Sequence, residues 1–165
     1  MTEVFPVELA AETGRALTGK GWRLISAESC TGGLLAATMT EVAGSSEWFE
    51  GAFVTYRLSA KTAMVGVSAE MLASHGAVSE PVARAMAEGA LANSDADIAV
   101  SITGIAGPDG GDVVSPVGTV WLGWAIREDS AIRCVQTAEH HLSGIRQAVR
   151  VQAVRVALEG VLALC

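Results

Sequence analysis

Ser29 and Cys30 are adjacent potential nucleophiles in the segment Ala27-Glu28-Ser29-Cys30-Thr31-Gly32-Gly33. An apolar run, Trp22 to Ala27, precedes it, and a segment with Leu34, Leu35, Thr38, Met39 and Val42 at helical spacing follows. This pattern reads as a strand turning tightly into a helix. Such a turn can present a hydroxyl or thiol to a ligand, with unpaired backbone N–H groups at the helix entry to stabilise a developing oxyanion. The same residues also suit an ordinary turn in which a Ser or Thr caps the helix.

A serine hydroxyl is a poor nucleophile until a neighbouring base takes its proton, and lysine is one such base. The chain has Lys61 and Lys20 as its lysines. If Ser59 caps a short helix, Lys61 lies in the first turn, where the helix dipole disfavours the cation and favours the neutral base. The alternative is a solvated lysine on a surface helix. Tyr56, at the end of an apolar run from Gly51, can meet Lys61 over a shared site or pack its ring in the core. The glycine-rich stretch Gly104 to Gly111 has no Walker lysine and no dinucleotide fingerprint. It serves either for close backbone approach to a ligand or as a connector. Arg146 and Arg150, one helical turn apart, share a face that suits a phosphate or carboxylate, or simply water.

The elements that must position these residues follow from periodicity and breakers. Val7 to Gly19 reads as a helix, Trp22–Ala27 as a strand, and the segment after Gly33 as a helix ending near Ala43-Gly44. Gly51–Tyr56 is a second strand, Ser59 to Val65 a short helix, and Ser68 caps another that stops at His75-Gly76. Ser79-Glu80-Pro81 opens a helix carrying Val82, Ala85, Met86, Gly89 and Ala90. Asp97–Thr103 is a buried strand. Val117–Ile126 and Ala131–Thr137 form an antiparallel hairpin around Arg127–Ser130, and a long helix begins near Ser143. The alternation predicts a three-layer α/β/α sandwich around a mixed, mostly parallel sheet of about five strands, with residues 1–165 forming a single domain. In such a sheet ligands bind beyond the carboxyl ends of the strands, where Ser29, Tyr56 and Thr103-Gly104 are all expected.

Composition narrows the function classes. A net charge of −7 argues against general nucleic-acid binding, although a small anion can still be held by a local field. No stretch approaches the ~20 apolar residues of a membrane span. The start Met1-Thr2-Glu3-Val4-Phe5-Pro6 lacks the basic-then-apolar pattern of a signal peptide, so a cytoplasmic protein is expected. Cys30, Cys134 and Cys165 show no zinc-type pairing and read as reduced core thiols. His75, His140 and His141 match no metal motif, and the adjacent pair would face opposite ways on a strand. The Ala-rich helices leave room for a subunit interface, and a homo-oligomer is expected.

Taken together, Ala27–Gly33, Phe53-Val54-Thr55-Tyr56, Gly76-Ala77-Val78-Ser79-Glu80-Pro81, Thr103 to Gly111 and Pro116-Val117-Gly118-Thr119-Val120 resemble the CinA C-terminal domain family, the nicotinamide-nucleotide amidohydrolases. The resemblance covers about the whole chain. It implies hydrolysis of the carboxamide of nicotinamide mononucleotide to nicotinate mononucleotide and ammonia. Ser29 would be the nucleophile, Lys61 its base and Tyr56 a partner in that network. Thr103, with nearby backbone N–H groups, would belong to the oxyanion or substrate-orienting set. Cys30, Thr31, Gly32, Gly33 and Gly104 would contact the substrate, and Arg146 its phosphate. No metal or organic cofactor is implied, and a stand-alone form, without the larger N-terminal domain of many relatives, is expected.

The chain departs from the family pattern at one place. Relatives commonly read Tyr-Ser-Asn-x-x-Lys, whereas here Arg57-Leu58 follows Tyr56. The added charge would lower the Lys61 pKa further or contact the phosphate, and loss of the polar pair puts turnover in doubt. A nucleotide-binding module of the same fold, catalytically impaired, is therefore the alternative. A Cys30 thiol enzyme is a third reading.

Overall fold

The computed structural model describes residues 4–165. Met1-Thr2-Glu3, part of the start read above as unlike a signal peptide, lies outside the described residues. The elements in chain order are α1 (Val7–Lys20), β1 (Leu24–Glu28), α2 (Leu34–Thr40), β2 (Phe49–Val54), α3 (Leu58–Val65), α4 (Ala69–His75), α5 (Glu80–Ala92), β3 (Ile98–Gly104), β4 (Thr119–Glu128), β5 (Ala131–His141) and α6 (Arg146–Leu164). Local signals explain several boundaries. Ser68 accepts the Met71 N–H and starts α4, and Pro81 occupies the first turn of α5, where its missing N–H costs nothing.

The sheet has five strands in the order β2-β1-β3-β4-β5. β1 pairs in parallel with β2 and β3, whereas β3–β4 and β4–β5 are antiparallel. The α/β/α class is as expected, but the pairings divide evenly, so "mostly parallel" is corrected. The physical reason is β4, which follows β3 through the loop 105–118 with no crossover helix and lies antiparallel beside it; β5 then returns from β4 as expected and runs to His141, four residues past the expected end at Thr137. A direct hairpin return can only be antiparallel. Boundaries also shift elsewhere: β1 starts at Leu24 and β2 ends at Val54, so Tyr56 is on the connection to α3. A 3₁₀ turn, Ser45–Glu47, leads into β2.

Period-two alternation splits the strands between two cores. Ile98, Val100 and Ile102 of β3, with Leu24 of β1, pack beneath α1, α2 and α6. Ile25, Ala27 and Ala99 instead face α5 and the end of α3. Burying each large aliphatic is worth about 1.5–3 kcal/mol, so this alternation fixes which face each strand presents. The α5 face carries small residues, which lets the helix come close enough for Ser101 Oγ to donate to the Ala83 carbonyl at 2.6 Å. On the opposite side Trp124 Nε1 donates to the Ala157 carbonyl at 3.0 Å and anchors α6.

Candidate active site

The chain passes from β1 to β2 on one side and later to β3 on the other, so a crevice opens beyond the ends of β1 and β3. The two strands run in register to Glu28 and Ile102, and the Ser29 N–H donates to the Ile102 carbonyl at 2.9 Å. One residue further, Ser29 stands beside Thr103. Alternation turns both toward the α3 and α5 side, while Glu28 turns toward α2.

Lys61 completes this corner from the first turn of α3. Its residue is 1% exposed, and Nζ lies 2.8 Å from Ser29 Oγ, 2.7 Å from the Thr55 carbonyl and 3.2 Å from the Tyr56 carbonyl. The two carbonyls can only accept, so they occupy two N–H bonds of the amine. In the neutral amine the remaining direction is a lone pair, aimed at the Ser29 hydroxyl. Burial lowers the Lys61 pKa to about 8, against a smaller opposing effect of the Cys30 thiolate. The expected cap differs: Arg57 occupies the N-cap position, and Ser59 lies inside the helix.

Glu28 had no role assigned from sequence, yet it organises the turn. Its carboxylate is fully buried and accepts from the N–H groups of Gly33, Leu35 and Ala36 at 3.0, 3.1 and 3.0 Å, and from Ser26 Oγ at 3.1 Å. This corrects the expectation of unpaired donors at the helix entry, because a charged acceptor consumes them. The signal was present in the sequence: a carboxylate ending a buried strand must be paired. Gly33, at φ 97°, occupies a left-handed conformation costly for any other residue at the entry to α2.

The unengaged donors sit one step earlier. The Cys30 and Thr31 N–H groups have no acceptor on another of the described residues, whereas the carbonyls of Ser29, Cys30 and Thr31 are held. Gly32 N–H donates to the Ser29 carbonyl at 3.0 Å, and Arg150 reaches from α6 to the carbonyls of Cys30 (Nε, 3.1 Å) and Thr31 (Nη2, 2.8 Å), the latter also accepting from the Leu34 N–H at 3.0 Å. Thr31 is fully buried, and its hydroxyl has no partner among the described residues. Burial raises the Cys30 thiol pKa to about 11, against smaller lowering by its own backbone N–H and by Arg150, Lys61 and Arg146. Burial of this kind disfavours the thiolate, the form of the side chain that attacks.

A cavity of about 680 Å³ opens over this corner, within the range that encloses a nucleotide-sized ligand. Ser29, Cys30, Tyr56, Lys61, Thr103, Gly104 and Arg146 all line it; Thr31, Gly32 and Gly33 do not, and form the turn behind it. The glycine loop contributes Gly104, Gly107 and Gly110 to the wall. A Cβ on Gly104 would stand 2.7 Å from Val120 Cγ2 and 2.8 Å from the Thr119 carbonyl, leaving no room for a side chain. Thr103 Oγ1 donates to the Ala77 carbonyl at 2.8 Å, so its hydroxyl presents lone pairs, not a proton. Tyr56 meets Lys61 through its carbonyl alone. Its phenol oxygen accepts from Arg146 Nη2 at 3.1 Å, and Arg146 Nη1 donates to the Gly107 carbonyl at 2.7 Å. The arginine pair therefore splits: Arg146 borders the cavity, and Arg150 braces the turn. Arg57 and Leu58 also line the cavity.

The model of the CinA C-terminal domain matches residues 7–165. The chain belongs to this family. It is 51% identical to the nicotinamide-nucleotide amidohydrolase PncC of Escherichia coli K12, over 96% of this chain and 94% of that protein. It is 45% identical to the protein of the same name from Pseudomonas putida, over 94% of each. Among solved structures, the competence/damage inducible protein CihA from Agrobacterium tumefaciens superposes with a TM-score of 0.90 at 43% identity, covering 98% of both chains. The competence damage-inducible protein A (ComA) of Klebsiella pneumoniae gives 0.89 at 41% identity, over 97% of this chain and 96% of that one. Among the described residues no three His, Cys, Asp or Glu side chains group as metal ligands, and no helix is long and apolar enough to cross a membrane.

Proposed function

We propose that this chain hydrolyses the carboxamide of nicotinamide mononucleotide to nicotinate mononucleotide and ammonia through a Ser29 acyl-enzyme. The observation that carries the reading is the 2.8 Å approach of Lys61 Nζ to Ser29 Oγ inside the cavity. The names of the similar amidohydrolases supply the substrate. Neutral Lys61 takes the hydroxyl proton as Ser29 Oγ attacks the carboxamide carbon. The oxyanion forms against the backbone N–H of Cys30, which lines the cavity, with the Thr31 N–H directly behind it. Thr103 Oγ1 accepts from the carboxamide NH₂ and orients it. The C–N bond then breaks, and the Lys61 ammonium returns its proton to the departing nitrogen, releasing ammonia. Water attacks the Ser29 ester with Lys61 again as base, which frees the carboxylate and restores the hydroxyl. Arg146 and the exposed Arg57 supply positive charge at the wall for the nucleotide phosphate, even though the chain as a whole carries a net charge of −7.

The alternative, a nucleotide-binding module without turnover, is motivated by Arg57 and Leu58 in the cavity wall. Neither side chain bonds to Lys61 Nζ, whose partners are Ser29, Thr55 and Tyr56. Ammonia release from nicotinamide mononucleotide by the purified protein tests both readings. Turnover that disappears in Ser29→Ala supports hydrolysis; calorimetric binding of the nucleotide without turnover supports the module.

A further inference from the structure

Each trans peptide unit directs its C=O and the following N–H in opposite directions. Fixing a carbonyl therefore aims the next residue's N–H. Arg150 Nε holds the Cys30 carbonyl at 3.1 Å, which turns the Thr31 N–H away from α6. Its Nη2 holds the Thr31 carbonyl at 2.8 Å, which turns the Gly32 N–H the opposite way. That N–H donates to the Ser29 carbonyl at 3.0 Å, and this bond in turn aims the Cys30 N–H. The guanidinium alone holds the Cys30 carbonyl and so aims the Thr31 N–H, whereas it shares the Thr31 carbonyl, and with it the bonds that aim the Cys30 N–H, with the Leu34 N–H at 3.0 Å. Two successive N–H groups left free in this way form an anion-binding concavity. The donors of the α2 entry cannot substitute, since Glu28 holds them.

We propose that Arg150 is a positioning residue, whose fork on two consecutive carbonyls fixes the turn that presents the Cys30 N–H, with the Thr31 N–H behind it, to the oxyanion formed during attack by Ser29. Arg150 itself never touches the substrate and lies outside the cavity lining. Its own placement depends on α6, anchored on the sheet by Trp124. This inference rests on the acyl-transfer reading above. It adds a residue on which transition-state stabilisation, and not substrate binding, depends.

The test uses Arg150→Ala and Arg150→Lys in the full chain, with thermal unfolding of each and two functional readouts. The first is steady-state ammonia release from nicotinamide mononucleotide. Because misaligned donors serve the transition state alone, kcat in Arg150→Ala falls about 10- to 100-fold with KM nearly unchanged. Arg150→Lys recovers only part, since a single ammonium cannot span two carbonyls as a planar fork does. Millimolar guanidinium restores part of the kcat of Arg150→Ala. The second readout is the rate at which phenylmethanesulfonyl fluoride modifies Ser29, followed by mass spectrometry. It requires the oxyanion donors but not this substrate, and it falls in parallel. Unchanged kcat in a folded variant, a rise in KM alone, or equal Ser29 sulfonylation in wild type and variants overturns the proposal. If Arg150→Ala does not fold, Arg150→Lys decides by the same readouts. A wild type that releases no ammonia defeats the substrate assignment, and the sulfonylation rates then judge Arg150 alone; a Ser29 inert to the reagent in the wild type overturns both.

Discussion

Lys61 Nζ stands 2.8 Å from Ser29 Oγ although the two residues are 32 positions apart and on different elements. The Thr55 and Tyr56 carbonyls hold two directions of the amine and leave the third for the hydroxyl. A general base placed this way contributes roughly 10²–10⁴-fold. Lys61→Met therefore loses at least about 10²-fold in kcat. Lys61→Arg does no better, because a guanidinium keeps its charge but cannot surrender a proton at any working pH. Steady-state ammonia assays check both, and an active Lys61→Arg would remove lysine as the base.

The pKa of about 8 sets two pH windows. Activity needs the neutral amine, so kcat/KM rises with pH up to about 8 and levels off above it. Stability follows the same sign. The folded pKa lies below the unfolded value of 10.5, so between about 8 and 10.5 the unfolded chain binds more protons. Unfolding free energy contributed by this group therefore increases with pH across that window and is lost as pH falls through 8. Lys61→Met lacks this slope, which denaturant titrations at pH 7, 8, 9 and 10 would reveal.

Cys30 borders the cavity, but its thiol is held near pKa 11 by burial. Cys30→Ala accordingly keeps kcat within a few-fold of wild type, and iodoacetamide at pH 7 modifies this thiol slowly. Activity that vanishes in Cys30→Ala while the fold persists would reinstate the thiol mechanism.

Glu28 accepts three backbone N–H groups and one hydroxyl in a fully buried position. Glu28→Ala strands these donors, and with each charged hydrogen bond worth about 1.5–3 kcal/mol it costs at least about 3 kcal/mol. Glu28→Gln costs less, because one oxygen still accepts. Chemical denaturation of the two variants measures the order; equal stability of Glu28→Ala and wild type would show the carboxylate to be idle.

Arg146 ties Tyr56 to the glycine loop at the cavity wall and presents charge to a phosphate. Arg146→Ala raises KM by about tenfold or more, a loss of charge-assisted contact near 1.4 kcal/mol or above. Arg57→Ser raises KM by a smaller factor, since its exposed charge is better screened. A KM unaffected by either change would place the phosphate elsewhere.

The layered fold and the neighbourhood of Ser29 were legible in the chain itself. Period-two alternation in Ile98-Ala99-Val100-Ser101-Ile102 and helical spacing in α5 are local patterns, and topology then brings Ser29 and Thr103 to one crevice. Residue type alone suggested Ser29 and Lys61 as a pair, and order along the chain carried the family likeness. Partnership across the fold was not local. That the Tyr56 phenol turns to Arg146 while its carbonyl meets Lys61, that Glu28 consumes the helix-entry donors, and that Arg150 grips the turn from 119 and 120 residues away all depend on where α6 and α3 dock. Sequence determined which groups could react, because nucleophile, base and breakers are properties of single residues and short spacings. Tertiary structure decided which hydrogen-bond donors remain free to catalyse, because every buried donor already given to a protein acceptor is lost to the substrate.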